Sequence, residues 1–237
     1  MRHRSHHAGR QQAASRTTQT PFGVTGFVLL SILLMASGCA SHQVRLAPQV
    51  GTIQIQQQFP VRAALLITPE TRAAVLRRHP SSLVSWIYVH DFQVGAALEQ
   101  AALGTFSQVF QEIVVVDDLE TAKRAYPVFI EPVVEDVRFF SGLLGEIHGK
   151  IRLRVTVGSG DAKRWEASLQ VRRSNRPSFW SALFWKSSYD ATLGDIISSA
   201  MSACLEEMAV NMARSSELAA FLKGSERSDA TQIVPPS

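Results

Sequence analysis

Cysteine is nearly absent from this 237-residue chain: Cys39 and Cys204 are the only two. Two cysteines cannot build a disulfide framework, so stability has to come from a packed core. Acidic residues are missing altogether before Cys39; all 20 Asp and Glu follow it. Four of the 24 Lys and Arg precede it, which leaves 20 basic against 20 acidic residues in the rest. The formal charge of +4 therefore belongs to the first 38 residues, and the remainder has no basic excess of the kind that binds nucleic acid. Also lacking is a second long hydrophobic run after the one that ends near Cys39. A bilayer span needs roughly 20 apolar residues, and nothing downstream offers them.

What is present at the start is orderly. Arg2, Arg4, Arg10 and Arg16 form a basic segment, Val24 to Ala36 an apolar core, and Ser37-Gly38-Cys39 a small-residue end. Those are the three parts of an export signal, and the core is too short to span comfortably. The terminal cysteine makes the segment resemble the lipobox of bacterial lipoproteins, with Ala36 where Leu is usual. That resemblance implies removal of residues 1–38 and diacylglyceryl and palmitate-type acylation of Cys39. Each buried acyl CH₂ contributes about 0.8 kcal/mol, so two or three chains hold essentially permanently. Ala40 in place of Asp favours the outer membrane in the proteobacterial sorting pattern, with the protein facing the periplasm. The competing reading is an ordinary secreted protein, cut near Ala40, in which Cys39 is incidental.

The roughly 200 residues after the leader suffice for one domain that buries about 70% of its unfolded surface. Residues 39–58 are polar and read as the lipidated cysteine and a tether, with Ile53 and Ile55 hinting at a short edge strand. Residues 59–224 read as one domain, and 225–237 as a disordered tail. Val61–Thr68 and Leu83–His90 are β-rich, and Asp91–Gly95 reads as a turn. Leu98, Ala102, Phe106, Val109 and Ile113 recur at helical spacing, which predicts a helix over Ala96–Ile113, followed by a strand at Val114–Val116. Leu119–Tyr126 reads as a short helical connection. Three strands follow: Val128–Phe140, where Pro132 calls for an edge or a bulge, then Ile147–Val157 and Arg164–Arg172. The middle strand alternates Ile151, Leu153, Val155 and Val157 with Arg152, Arg154 and Thr156, so one face is buried. A second amphipathic helix is expected over Thr192–Arg214, with Leu193, Ile197, Ala200, Cys204 and Met208 on one face, and a last helical turn at Glu217–Leu222. The expectation is an α+β two-layer sandwich: a mostly antiparallel sheet with two amphipathic helices on one face.

Motifs that carry chemistry are few. His90-Asp91 follows a strand, but no nucleophile stands at a strand-to-helix elbow, and His90 reads as a residue that caps or hydrogen-bonds the turn before the helix at Ala96. Gly142–Lys150 fails the phosphate-loop spacing, since Leu144 and Ile151 stand where Gly and Ser or Thr are needed. Glu146 and His148 could ligate a metal on one strand face but lack a third ligand; a solvent-facing pair is expected. His3, His6 and His7 leave with the leader. Cys204, among Ile, Leu and Met, reads as a small buried core residue. Phe179, Trp180, Phe184, Trp185 and Tyr189 crowd one polar stretch. They either close one end of the core or form a contact surface for a partner or the membrane.

The lipobox, the polar stretch after it, the helix-to-strand unit GAALEQAALGTFSQVFQEIVVVDD and the closing helix DIISSAMSACLEEMAVNMA resemble small outer-membrane lipoproteins. The YajG-type family and the lipoprotein auxiliaries of envelope transporters share this plan. The resemblance implies a non-catalytic, lipid-anchored accessory protein with an envelope protein as partner, and it implies no catalytic residue, cofactor or metal. Two other functions stay open: a module that binds an envelope lipid or glycan between helices and sheet, and an envelope hydrolase using His90 or Asp91.

Overall fold

In the computed structural model, residues 41–55, 58–81, 89–141, 146–175 and 185–222 are described, with the backbone alone for 141 and 185–188. The elements run β1 (Ser41–Val44), β2 (Phe59–Leu66), α1 (Pro69–Arg72), β3 (Val75–Arg78), β4 (Val89–Gln93), α2 (Val94–Phe106), β5 (Phe110–Val116), α3 (Leu119–Ala125), β6 (Val128–Ser141), β7 (Ile147–Ser159), β8 (Ala162–Asn175) and α4 (Trp185–Ala213). A last short helix covers residues 216–222. Cys39, Phe179, Trp180, Phe184, the side chain of Trp185, the strand expected over 83–88 and the tail 225–237 lie outside the described residues.

Five strands form one sheet in the order β5-β2-β6-β7-β8, and three form a small one, β1-β4-β3. The expected two-layer sandwich is the architecture found. The alternation read in β7 places Ile147, Ile151, Leu153, Val155 and Val157 in the core, at 0–2% exposure. The stripe read in α4 does the same with Leu193, Ile197, Ala200, Cys204 and Met208. These side chains, with Leu98, Ala101, Ala102 and Phe106 of α2, belong to one hydrophobic cluster on one face of the large sheet. Burying an apolar side chain of this size contributes about 1.5–3 kcal/mol, which is why α2 and α4 lie where they do. Gly149 of β7 permits the close seat of α4: a Cβ there would stand 2.6 Å from Ile196 Cγ2 and 2.7 Å from Ile197 Cδ1. On the opposite face, α3 covers only the parallel end, with Ala122 against Ala64, Leu66, Val116 and Phe129.

The long ladders β6–β7 and β7–β8 are antiparallel, as expected. The other end is not: β2 runs parallel to both β5 and β6. The chain passes from β5 through α3 to β6 and so flanks β2 on both sides, a crossover that parallel strands require. Pro132 stands beyond the β2–β6 ladder, which covers only Val128–Ile130, and beside a register shift at Val134/Asp136. There the missing proline N–H costs no bond to β2.

Three expectations are corrected. The first helix ends at Phe106, with a turn to Val109, and Phe110–Val116 is strand β5. Val109 and Ile113 continue the helical spacing by coincidence, while the β-branched run Ile113–Val116 belongs to a strand. Asp91–Gly95 is not a turn, since β4 runs to Gln93 and α2 starts at Val94.

The third correction concerns the tether. Ser41–Val44 is strand β1, parallel to β4, and Val44 is fully buried. Beyond it, Leu46 and Ile53 pack against the core. The Ala47 N–H donates to Ser198 Oγ at 2.9 Å, the Gly51 N–H to Glu206 Oε1 at 2.8 Å, and the Ile53 N–H to Gln108 Oε1 at 2.8 Å. Residues 41–55 are therefore an arm laid on α4 and α2. Polar composition conceals it because three of its backbone N–H groups are satisfied by side chains of α4 and of the turn after α2.

Candidate functional site

Strands β1 and β4 pair in parallel with His42 opposite His90, so both imidazoles leave the small sheet on the same side. Asp190, near the start of α4, meets them. His42 Nδ1 lies 3.0 Å from Asp190 Oδ2, and His90 Nε2 lies 3.5 Å from Asp190 Oδ1. The three form a group whose ligand-type atoms all stand within 4.8 Å of one another. His90 is the buried member, with its side chain 4% exposed, while those of His42 and Asp190 are 19% and 26% exposed. One edge of the group thus reaches the surface.

Rings enclose His90. It stacks on His42 at 5.2 Å between centroids, meets the edge of Phe139 at 4.9 Å, and has Phe92 at 6.5 Å and Tyr189 at 5.9 Å. Burial pushes its pKa below the ordinary imidazole value, and His42 pushes the same way; the charge of Asp190 opposes them. Burial wins, so His90 is held neutral. A neutral imidazole beside a carboxylate and a second imidazole can accept a proton, donate one hydrogen bond or ligate a metal.

Sequence reasoning singled out His90 but gave it the wrong task. The Gln93 side chain makes no capping hydrogen bond to α2, and the ring of His90 is buried among core side chains instead of at the turn. Asp91, on the other side of β4, is separate from the group: it takes a two-point ion pair from Arg77, at 2.8 and 3.1 Å. Hydrogen bonds from that guanidinium hold its carboxyl below the usual range. Glu146 and His148 do pair, at 3.4 Å, with side chains 31% and 20% exposed. Cys204 is fully buried, as expected, and burial raises its thiol to about 12.

His42 and Asp190 went unnoticed because each sits in a stretch that reads as connecting chain, 148 residues apart. The alternation of His42 with Val44 is the one local signal that a strand begins there, and it is two residues long. Nothing local could have supplied the parallel register that joins His42 to His90.

No protein-family model matches the sequence, and neither does any curated protein. Solved structures share parts of its shape. A Xanthomonas campestris protein from a domain family of unknown function is 10% identical, covers 80% of this chain and 99% of its own, and superposes with a TM-score of 0.44. A minor lipoprotein from Acinetobacter baumannii is 11% identical, covering 64% of this chain and 91% of its own at a TM-score of 0.32. The rare lipoprotein B from Shewanella oneidensis is 9% identical, covering 72% and 97% at a TM-score of 0.27. Likenesses this distant do not bear on what the chain does.

Proposed function

We propose that this protein is acylated at Cys39 and works as a non-catalytic accessory subunit on the periplasmic face of the outer membrane, through contacts with another envelope protein. The observation that carries the reading is the order of residues 2–39: four arginines, no acid, a short apolar core, then Ser37-Gly38-Cys39. Its α+β body adds a physical consequence. The first strand begins at Ser41, two residues after Cys39. Two extended residues span about 7 Å, so the acyl chains would hold the small sheet directly against the headgroups, with no standoff. Phe179, Trp180, Phe184 and Trp185 are the proposed contact surface for the partner or the bilayer interface.

Fractionation tests the anchor. The wild-type protein should sediment with outer membranes, and Cys39→Ser should abolish acylation and leave the chain either unprocessed at the inner membrane or soluble. Recovery of Cys39→Ser in the outer-membrane fraction, at the wild-type amount, contradicts the proposal.

A further inference from the structure

We propose that His42, His90 and Asp190 form a binding site for one divalent late first-row transition-metal ion, with zinc the best fit, that ties the N-terminal arm to the start of α4. The three side chains converge closely enough for one ion to bridge them. Two ligand atoms about 2.0–2.1 Å from zinc at the tetrahedral angle stand about 3.3–3.4 Å apart. His42 Nδ1 at 3.0 Å from Asp190 Oδ2 and His90 Nε2 at 3.5 Å from Asp190 Oδ1 lie on either side of that value, through the two oxygens of one carboxylate, and the three ligand-type atoms all stand within 4.8 Å of one another.

Electrostatics inside the group point the same way. Asp190 Oδ1 is buried and without a hydrogen-bond partner among the described residues, although His90 Nε2 is 3.5 Å from it. His90 Nδ1 is also buried without a hydrogen-bond partner among the described residues, so no hydrogen bond fixes the tautomer, and with the proton on Nδ1 two acceptors face each other across that gap. A cation between them takes both lone pairs. The donor set selects the class of metal: two imidazoles and one carboxylate suit zinc and its neighbours, whereas calcium and magnesium prefer oxygen ligands throughout. Three protein ligands leave a fourth position, and the partial exposure of His42 and Asp190 places it toward solvent.

The ligands come from three separated elements, β1, β4 and α4. An ion there closes the arm onto the body as a cross-link would, so binding free energy becomes folding free energy. The inference stands independently of lipidation at Cys39.

The test is zinc and cobalt(II) titration of the full chain in detergent, free of any histidine tag. His3, His6 and His7 are replaced by Ala so that no leader histidine contributes to the metal signal. We expect one zinc per chain, a tetrahedral cobalt(II) visible spectrum displaced by zinc, and a thermal midpoint that rises with zinc. Asp190→Asn keeps the shape of the side chain, and His42→Gln alters only a half-buried position. Each should weaken zinc binding by at least the roughly 10- to 100-fold that loss of a residue merely supporting a ligand costs. Their far-ultraviolet spectra should stay unchanged. The proposal is overturned if the parent chain takes up no stoichiometric zinc, if calcium or magnesium binds as tightly, or if both variants keep the parent affinity. In the last case the ion sits elsewhere, as at Glu146–His148.

Discussion

Val44 decides whether residues 41–55 belong to the folded body. It is fully buried in the main core cluster, from a stretch whose composition reads as linker. Val44→Ala removes two methylene equivalents at about 0.8 kcal/mol each and leaves a small cavity, for a total of about 2 kcal/mol. That is about a 30-fold change in the folded-to-unfolded ratio. For a domain of this size it lowers Tm by about 4–8 °C. Thr52→Ala, in the same arm but exposed, is the control and should stay within about 0.5 kcal/mol of wild type. Urea unfolding followed by circular dichroism, on matched detergent-solubilised samples, reads both. A Val44→Ala midpoint indistinguishable from that of Thr52→Ala would refute the packing of the arm.

Gly194→Ala should destabilise by about 1–3 kcal/mol, because its Cβ would stand 2.5 Å from the Arg45 carbonyl oxygen, and backbone must move. A thermal melt equal to wild type would show that the arm and α4 are not in contact. Cys204 should resist iodoacetamide at pH 8 in the folded protein and react on unfolding, since its thiol is raised to about 12. The same shift has a sign in stability. A folded pKa above the unfolded value leaves stability intact below about pH 9 and removes it as pH climbs toward 12. Cys204→Ala should therefore lose less stability than wild type between pH 9 and 11; equal losses would show the thiol is not buried. If the proposed envelope partner docks on these rings, Trp180→Ala with Trp185→Ala should leave a folded chain that crosslinks to no envelope protein. An unfolded double variant would make these rings core residues instead.

Much of this fold is written in local pattern. Ile151, Leu153, Val155 and Val157 alternate with charged or hydroxyl residues, and a strand with one buried face is the only reading that fits. Leu193 to Met208 fixes α4 in the same way. Pattern fails where pairing is distant. Helical spacing runs on past the end of α2 to Val109 and Ile113, yet their side chains serve a turn and a strand. Strand β1 is four residues with one buried apolar side chain, and only its ladder to β4, some fifty residues on, makes it a strand. The site inherits that limit. His90 is conspicuous at the end of an apolar run, but its partners arrive from an arm and a helix start whose positions depend on the whole core.

Mass spectrometry of the amino-terminal peptide from the native membrane fraction tests the central claim most directly. The account predicts a chain that begins at Cys39 and carries a diacylglyceryl group, with or without a third acyl chain. A chain beginning at Met1, or at any residue after Cys39 with no lipid attached, would contradict it.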